Sequence, residues 1–208
     1  MYDFIADLDA FFCEKYADYD KICILPGYVM PVMQATEVRA DGRSYGYTLP
    51  ADTMRLAKQE KKDELLKMLK SQMVDRTFSF SFAPLGFFTR VRNIFVSYVF
   101  HKNFKKVLKK YNIAEELAFD GIDIADEIKT GILKGAYEPT KNLVLSFALM
   151  AQISYEDTKD LLALCDAEFD FTEVKDVVIV YLLRNKVYNR SMIDAALKEY
   201  KIANLFLK

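Results

Sequence analysis

The sequence predicts an α+β protein that is mainly α, with a small α+β N-terminal unit followed by an all-α C-terminal module. Apolar residues recur at three- and four-residue spacing along most of the 208 residues, and alternating β-type stretches cluster before residue 83. The charge also changes sign: residues 1–112 hold 18 basic and 13 acidic side chains, whereas residues 113–208 hold 11 and 17. This asymmetry favours separate modules, which we place at residues 1–83, 84–112 and 113–208.

The N-terminal unit, residues 1–83, combines helical and strand patterns. Asp41-Gly42 supplies the positive φ that a tight hairpin needs, so we expect a turn at 40–43 between short strands within 28–49. Strict alternation of polar residues with phenylalanine favours a half-buried strand at 77–82. The remaining patterns predict helices over residues 1–20 and 52–72 and a short strand over residues 21–25.

Residues 84–112 form the most polarised segment of the chain. No acidic residue occurs between Arg76 and Ala114, and basic residues alternate with aromatic ones. We predict one basic amphipathic helix over 87–111 that connects the two modules. Either its apolar side is core and its lysines are solvated, or it contacts nucleic-acid phosphates, an acidic protein or an anionic membrane surface. The candidate contact residues are Arg90, Arg92, Lys102, Lys105, Lys106, Lys109 and Lys110.

Glycine and proline divide the C-terminal module, residues 113–208, into short helices. We predict breaks at Gly121, Gly135 and Pro139. The run at 171–186 is rich in β-branched residues, but its length and the flanking helices favour a buried helix over a strand. The predicted helices cover residues 114–119, 123–133, 140–151, 171–186 and 189–200, and a further one starts at Ser154.

A set of residues in this module follows the order and approximate spacing of a known domain type: Glu116-Leu117-Ala118, Gly121-Ile122, Ile128, Gly135, Pro139, Leu143, Ala148 and Ile153. The last 95 residues or so therefore resemble the lambda-repressor-like (XRE) helix-turn-helix module that is appended to uncharacterised bacterial proteins. The resemblance implies a bacterial source and a recognition helix at 123–133 whose first residues face base edges. Lys129, Lys134 and Lys141 would then be additional backbone contacts.

The side chains of this helix favour packing or protein binding over DNA binding. Asp123, Asp126 and Glu127 accompany a single lysine where phosphates would approach, and the module carries a net charge of −6. Because DNA-binding proteins gain much of their affinity by neutralising phosphates, this charge opposes the function that the resemblance implies.

The sequence offers little catalytic or metal-binding chemistry. His101 is the only histidine, and we expect a surface or capping role for it. The motif at 7–12, D-L-D-A-F-F, is similar to the metal-binding motif of Y-family DNA polymerases. However, the family's second carboxylate motif is absent and helical spacing separates Asp7 from Asp9. The polar loop at 41–47 is either a hairpin turn or a binding loop. We predict no catalytic residue, no cofactor and no metal.

We therefore expect a non-enzymatic bacterial regulatory or adaptor protein that binds a protein partner. Its contact sites would be the basic helix 87–111 and the surface of the C-terminal module, and we expect an exposed apolar patch formed by Phe95, Tyr98 and Phe104. Three cysteines without metal-site spacing favour a cytoplasmic location. No apolar stretch approaches the roughly 18 residues of a spanning helix, and we expect no membrane partner. The alternative is a sequence-specific DNA-binding transcriptional regulator that uses helix 123–133. An enzyme centred on loop 41–47 is the third candidate.

Overall fold

The protein is mainly helical and contains a small antiparallel two-stranded sheet, which confirms the predicted fold class. The structure is a computed structural model and describes residues 4–15, 34–38, 43–48, 66–67, 69–71, 73, 82–202 and 205–208. The chain divides into two compact units, residues 1–74 and residues 75–208.

The first unit contains helix α1 (Phe4–Lys15) and a hairpin of strands β1 (Gln34–Val38) and β2 (Ser44–Thr48). Thr36 lies opposite Gly46 in the antiparallel register. The predicted helix within residues 1–20 and the predicted hairpin strands are confirmed. Residues 40–42 of the predicted turn and the predicted strands at 21–25 and 77–81 lie outside the described residues. Lys70, in a helical stretch, donates to Asp9 Oδ1 of α1 over 2.8 Å.

The second unit is a set of short helices around α7. Its helices are α2 (Phe87–Phe95), α3 (Phe100–Lys110), a 3-10 turn (Glu115–Leu117), α4 (Asp126–Leu133), α5 (Lys141–Met150), α6 (Tyr155–Ala163), α7 (Val174–Arg184) and α8 (Arg190–Glu199). Helix α7 packs against α5, α6 and α8. All its residues from Val174 to Leu183 are buried. A helix that is apolar on nearly every side is stable only when neighbours surround it.

A cluster of aromatic rings joins α3 to the rest of this core. The ring of Phe104 stacks on Phe100 and Phe119 at centroid distances of 5.2 and 5.5 Å. It meets the edge of Phe147 in α5 at 4.6 Å. Because these contacts involve α3, the loop after it and α5, they fix the direction in which α3 leaves the core.

Side-chain caps begin the helices close to the predicted positions. Thr140 Oγ1 accepts from Leu143 N, Ser154 Oγ accepts from Asp157 N, and Asn189 Oδ1 accepts from Ser191 N. Helix α4 begins at Asp126, three residues later than the predicted start. Gly135 follows α4 with φ +67°, a conformation that glycine adopts without steric cost.

The predicted connecting helix over 87–111 is divided into α2 and α3 by an extended break at residues 96–99. Val96 has φ −88° and ψ 131°, and Val99 has φ −130° and ψ 152°. Both are β-branched residues that favour extended backbone. The segment is therefore two helices with different surroundings.

Two side chains of α3 stabilise this break. Lys102 Nζ donates to the carbonyls of Ile94 and Val96 over 2.7 and 2.8 Å. Asn103 Nδ2 donates to the carbonyl of Ser97 over 3.2 Å. These donors satisfy carbonyl groups that a continuous helix would have paired with backbone N–H groups, which is the physical reason that the chain can leave the helix here.

Candidate interaction surface and adjoining cleft

Helix α2 turns its apolar face to solvent. Phe87, Phe88, Ile94 and Phe95 are between 66% and 86% exposed, and Val91 is 38% exposed. At 3.6 residues per turn these five side chains cover an arc of about 120°, which we call the α2 stripe. A helix of a folded domain normally buries such an arc. Among the described residues nothing covers it.

Two arginines flank the α2 stripe. In the same helical projection, Arg90 lies about 40° beyond one edge and Arg92 about 40° beyond the other. Thr89 and Asn93 are half-buried and occupy the opposite side of the helix, where they line a cleft of the second unit. The polar side of α2 therefore faces the protein, and its apolar side faces solvent with a cation on each flank.

The sequence predicted an apolar patch of Phe95, Tyr98 and Phe104. Tyr98 is 69% exposed and adds to the apolar surface beyond the end of α2. The prediction is wrong for Phe104, which is 1% exposed. Phe104 points into the core against Phe147, so the patch is formed by α2 and the break and not by α3.

Most of the predicted contact lysines of α3 are held by groups of the protein itself. The contacts are Lys105 with Glu115 (2.7 Å), Lys106 with Asn103 (3.2 Å) and Lys110 with Asp157 (2.7 Å). Lys102 is bound to the carbonyls at the end of α2. The basic segment thus uses much of its positive charge in local contacts.

The first turn of α4 is acidic, as the sequence indicated. Asp126 and Glu127 are exposed, and Lys129 Nζ lies 3.0 Å from Asp126 Oδ1. The hydrogen bond and the charge of Lys129 lower the pKa of the Asp126 carboxyl. Lys141 pairs with the buried Asp176. Two of the three lysines proposed for this module are therefore engaged within the protein.

Four of the ten predicted contact residues have no ion pair and no side-chain hydrogen bond within the part of the chain that the structure describes. They are Arg90, Arg92, Lys109 and Lys134. Arg90 and Arg92 flank the α2 stripe, which makes this stripe the place where unpaired positive charge and exposed apolar surface coincide.

A cleft of about 320 Å³ lies on the inner side of α2. Its walls come from α2, the start of α3, the loop after α4 and the end of α6. The buried side chains of Phe100 and Ile132 form part of the lining. His101, Glu138 and Asp166 bring titratable groups to the same cleft. Sequence reasoning assigned none of these residues to a site.

His101 is half-buried, lies against Gly135 and makes no side-chain cap of α3, so the capping alternative of the predicted surface or capping role is wrong. A Cβ atom on Gly135 would lie 2.6 Å from His101 Nδ1, so only glycine permits this approach. Burial lowers the pKa of His101, and the charges of Lys102 and Lys105 lower it further. The imidazole is therefore neutral at physiological pH and offers one donor and one acceptor. The one signal for this cleft in the sequence was that His101 is the only histidine.

Metal-binding and membrane-spanning features are absent from the described ranges. No group of three His, Cys, Asp or Glu side chains there is arranged to hold a metal ion. Asp9 of the polymerase-like motif lies in α1 and pairs with Lys70. None of the described helices is long and apolar enough to cross a membrane. Comparisons with known proteins give no relative, since no family model, curated protein or solved structure matches the chain.

Proposed function

We propose that this protein is a non-catalytic regulatory or adaptor protein that binds a protein partner through the α2 stripe. The exposure of four large apolar side chains on one face of α2 carries this proposal. Exposed apolar patches of this kind mark interaction sites, and an amphipathic helix is a common recognition element for an apolar groove. Phe87, Val91 and Ile94 have the i, i+4, i+7 spacing of groove-binding anchors.

Arg90 and Arg92 define the chemistry of the partner. A groove that receives the stripe would have carboxylates along both rims, so that each arginine meets an acidic side chain. A second copy of the same stripe is disfavoured, because residues 82–114 contain no acidic side chain to balance the arginines. Nucleic-acid phosphates would satisfy the arginines but would leave the apolar side chains uncovered.

The titratable groups of the second unit support a non-catalytic role. Burial raises the pKa of Cys165 to about 12, with contributions from Asp166 and Glu138, so this thiol is protonated at neutral pH and is a poor nucleophile. Neither Cys13 nor Cys165 forms a disulfide with another described residue. Free thiols suit the reducing cytoplasm, which we propose as the location.

DNA binding by the repressor-like module is the alternative function. It would use α4 in a major groove, with Lys134 and Lys109 as unpaired cations. The acidic first turn of α4 opposes it, as does the pairing of Lys129 with Asp126. Fluorescence anisotropy with mixed-sequence duplex DNA tests it. Binding in the micromolar range that weakens with salt and requires Lys129 and Lys134 would replace the proposal by this alternative.

The protein-partner proposal is tested by site-specific photocrosslinking in the cells that produce the protein. A benzophenone side chain replaces Phe88 in the stripe or Leu117, an apolar residue that is 61% exposed outside it. We expect a discrete protein adduct from position 88 and none from position 117. The Arg90→Glu/Arg92→Glu variant should abolish the adduct. The proposal would be contradicted if both positions gave the same adduct. It would also be contradicted if the Arg90→Glu/Arg92→Glu variant still formed the adduct from position 88.

A further inference from the structure

The cleft on the inner side of α2 differs from the other clefts of the second unit in the state of its polar groups. None of its polar side chains makes a side-chain hydrogen bond or ion pair with any described residue. These side chains are Thr89, Arg92, Asn93, Tyr98, His101, Tyr137, Glu138 and Asp166. By contrast, Arg190 and Asp194 pair with each other in a second cleft, and Lys110 and Asp157 pair in a third. Arg92, Glu138 and Asp166 are exposed, and a few polar groups that converge on one cleft are a feature of ligand sites.

Backbone hydrogen bonds hold the walls of the cleft in place. Leu85 N donates to the carbonyl of Ala136 over 2.8 Å, and Glu138 N donates to the carbonyl of Ala83 over 3.0 Å. These bonds pair the segment before α2 with the loop after α4. The loop that carries Glu138 is thus fixed relative to the start of α2, as a site on preformed elements requires.

Charges of opposite sign are separated in the cleft. Arg92 and the neutral His101 belong to α2 and α3, whereas Glu138 and Asp166 belong to the loop after α4 and the end of α6. Both carboxylates thus belong to elements other than the two that carry Arg92 and His101. A ligand with a single charge would satisfy one side and leave the other unpaired.

The lining between these groups is apolar. Phe100 and Ile132 are buried, and Leu164 at the end of α6 adds to the same surface. The volume, about 320 Å³, lies at the lower end of the range for small-molecule sites. A ligand of this site is therefore small, carries both charges and has an apolar part.

We propose that this cleft binds a small zwitterion of the amino-acid class, with its carboxylate on Arg92 and its ammonium group on Glu138 and Asp166. Thr89, Asn93 and His101 supply further hydrogen bonds, and an apolar side chain lies against Phe100 and Ile132. This site goes beyond the proposed partner surface, and Arg92 is the residue that both use. The α2 helix contributes to both, because its polar side lines the cleft and its apolar side forms the stripe.

The protein contains an intrinsic NMR probe of this site. His101 is the only histidine, so its imidazole Hε1 gives a single resolved NMR signal. We expect at least one member of a panel of free L-amino acids to shift this signal saturably, with L-phenylalanine as the first probe. The amide of L-phenylalanine lacks the carboxylate, and N-acetyl-L-phenylalanine lacks the ammonium group. Each analogue should bind at least tenfold more weakly than the parent amino acid.

Variants of the carboxylates complete the test. The Glu138→Gln/Asp166→Asn protein should lose at least tenfold in affinity. Asparagine tolerates the positive φ of 51° at position 166, so the backbone is retained. Glu127→Gln, at an exposed site on α4, is the control and should bind normally. The proposal is overturned if no amino acid shifts His101, if the analogues bind as well as the parent, or if the double variant binds unchanged. The analogue series needs no variant and remains decisive if the double variant fails to fold.

Discussion

Tyr111 Oη donates a hydrogen bond of 2.5 Å to Asp157 Oδ2 and accepts one of 2.9 Å from the backbone N–H of Ser154. The residue after α3 is thereby bound to the first turn of α6. Burial by itself would raise the pKa of Asp157, but hydrogen bonds from Lys110, Tyr111 and Ser154 outweigh it and lower the pKa. Asp157 is thus an ionised acceptor at neutral pH that fixes α3 against α6.

Removing the Tyr111 hydroxyl should therefore destabilise the protein. Tyr111→Phe leaves a part-buried carboxylate with one donor fewer and the N–H of Ser154 without its acceptor. We expect the free energy of unfolding to fall by about 1–3 kcal/mol. Tyr155→Phe is the matched control, because its hydroxyl only accepts an exposed bond from Arg184 at 3.3 Å. Urea unfolding at pH 7 measures both. Equal effects of the two variants would show that the Tyr111–Asp157 contact has no special role.

A second prediction concerns Lys141, which the sequence suggested as a nucleic-acid contact. Lys141 is paired with Asp176, whose side chain is only 1% exposed. Lys141→Met would remove the ion pair from a buried carboxylate, and we expect a loss of about 3–5 kcal/mol in unfolding free energy.

The control for this variant is Lys159→Met. Lys159 lies 3.8 Å from Glu156, and both side chains are more than half exposed. Such surface pairs contribute at most about 1 kcal/mol. Chemical denaturation of the three proteins gives the comparison. If Lys141→Met were as stable as the control, Asp176 would not depend on Lys141 for its charge balance.

The helices of the second unit could be predicted well because their signals are local. A capping residue and an apolar period lie within a few positions of one another, as at Thr140 and Ser154, and Gly135 directly follows the end of α4. The division of 87–111 into two helices could not be predicted, because it depends on Lys102 and Asn103. These side chains bind carbonyls six to eight residues earlier in the sequence, and only the folded arrangement brings them there.

The candidate surfaces could be predicted only in part from the sequence. Amphipathic periodicity identifies an apolar arc on α2, but it does not say whether that arc is buried or exposed. Periodicity alone assigned Phe104 and Phe95 to one patch, yet the first is in the core and the second is exposed. The cleft joins residues of four separate segments, among them His101, Glu138 and Asp166, and no spacing rule connects them.

A third prediction follows from the environment of His101. Its pKa in the folded protein is lowered by burial and by Lys102 and Lys105, whereas the unfolded chain titrates near the ordinary value of 6.5. Between these two values the unfolded state binds more protons, so stability rises with pH in that window. The contribution of neutral His101 is complete above pH 6.5 and is lost as the pH falls from 6.5 through the lower pKa of the folded state.

Replacing the imidazole should remove this dependence. We expect the unfolding free energy of wild type to decrease more between pH 7.5 and pH 5.5 than that of His101→Gln, as measured by urea denaturation. NMR titration gives the pKa directly, and Lys105→Gln should raise it while Lys198→Gln, on exposed α8, should not. A titration midpoint at or above 6.5 in the folded wild-type protein would refute the prediction.

The last prediction tests the close approach of Gly135 to His101. A Cβ at position 135 would lie 2.6 Å from Nδ1 and 2.9 Å from Cε1 of the imidazole, and the φ of +67° adds a backbone cost of about 1–2 kcal/mol for alanine. We expect Gly135→Ala to destabilise the wild type by more than this backbone cost. In a His101→Ala background only the backbone cost remains, because the ring that would be displaced is gone. A double-mutant cycle measured by thermal and urea unfolding should therefore give a coupling of at least about 0.5 kcal/mol. Additive effects of the two substitutions would mean that the ring moves aside freely and that glycine is needed at position 135 only for its backbone conformation.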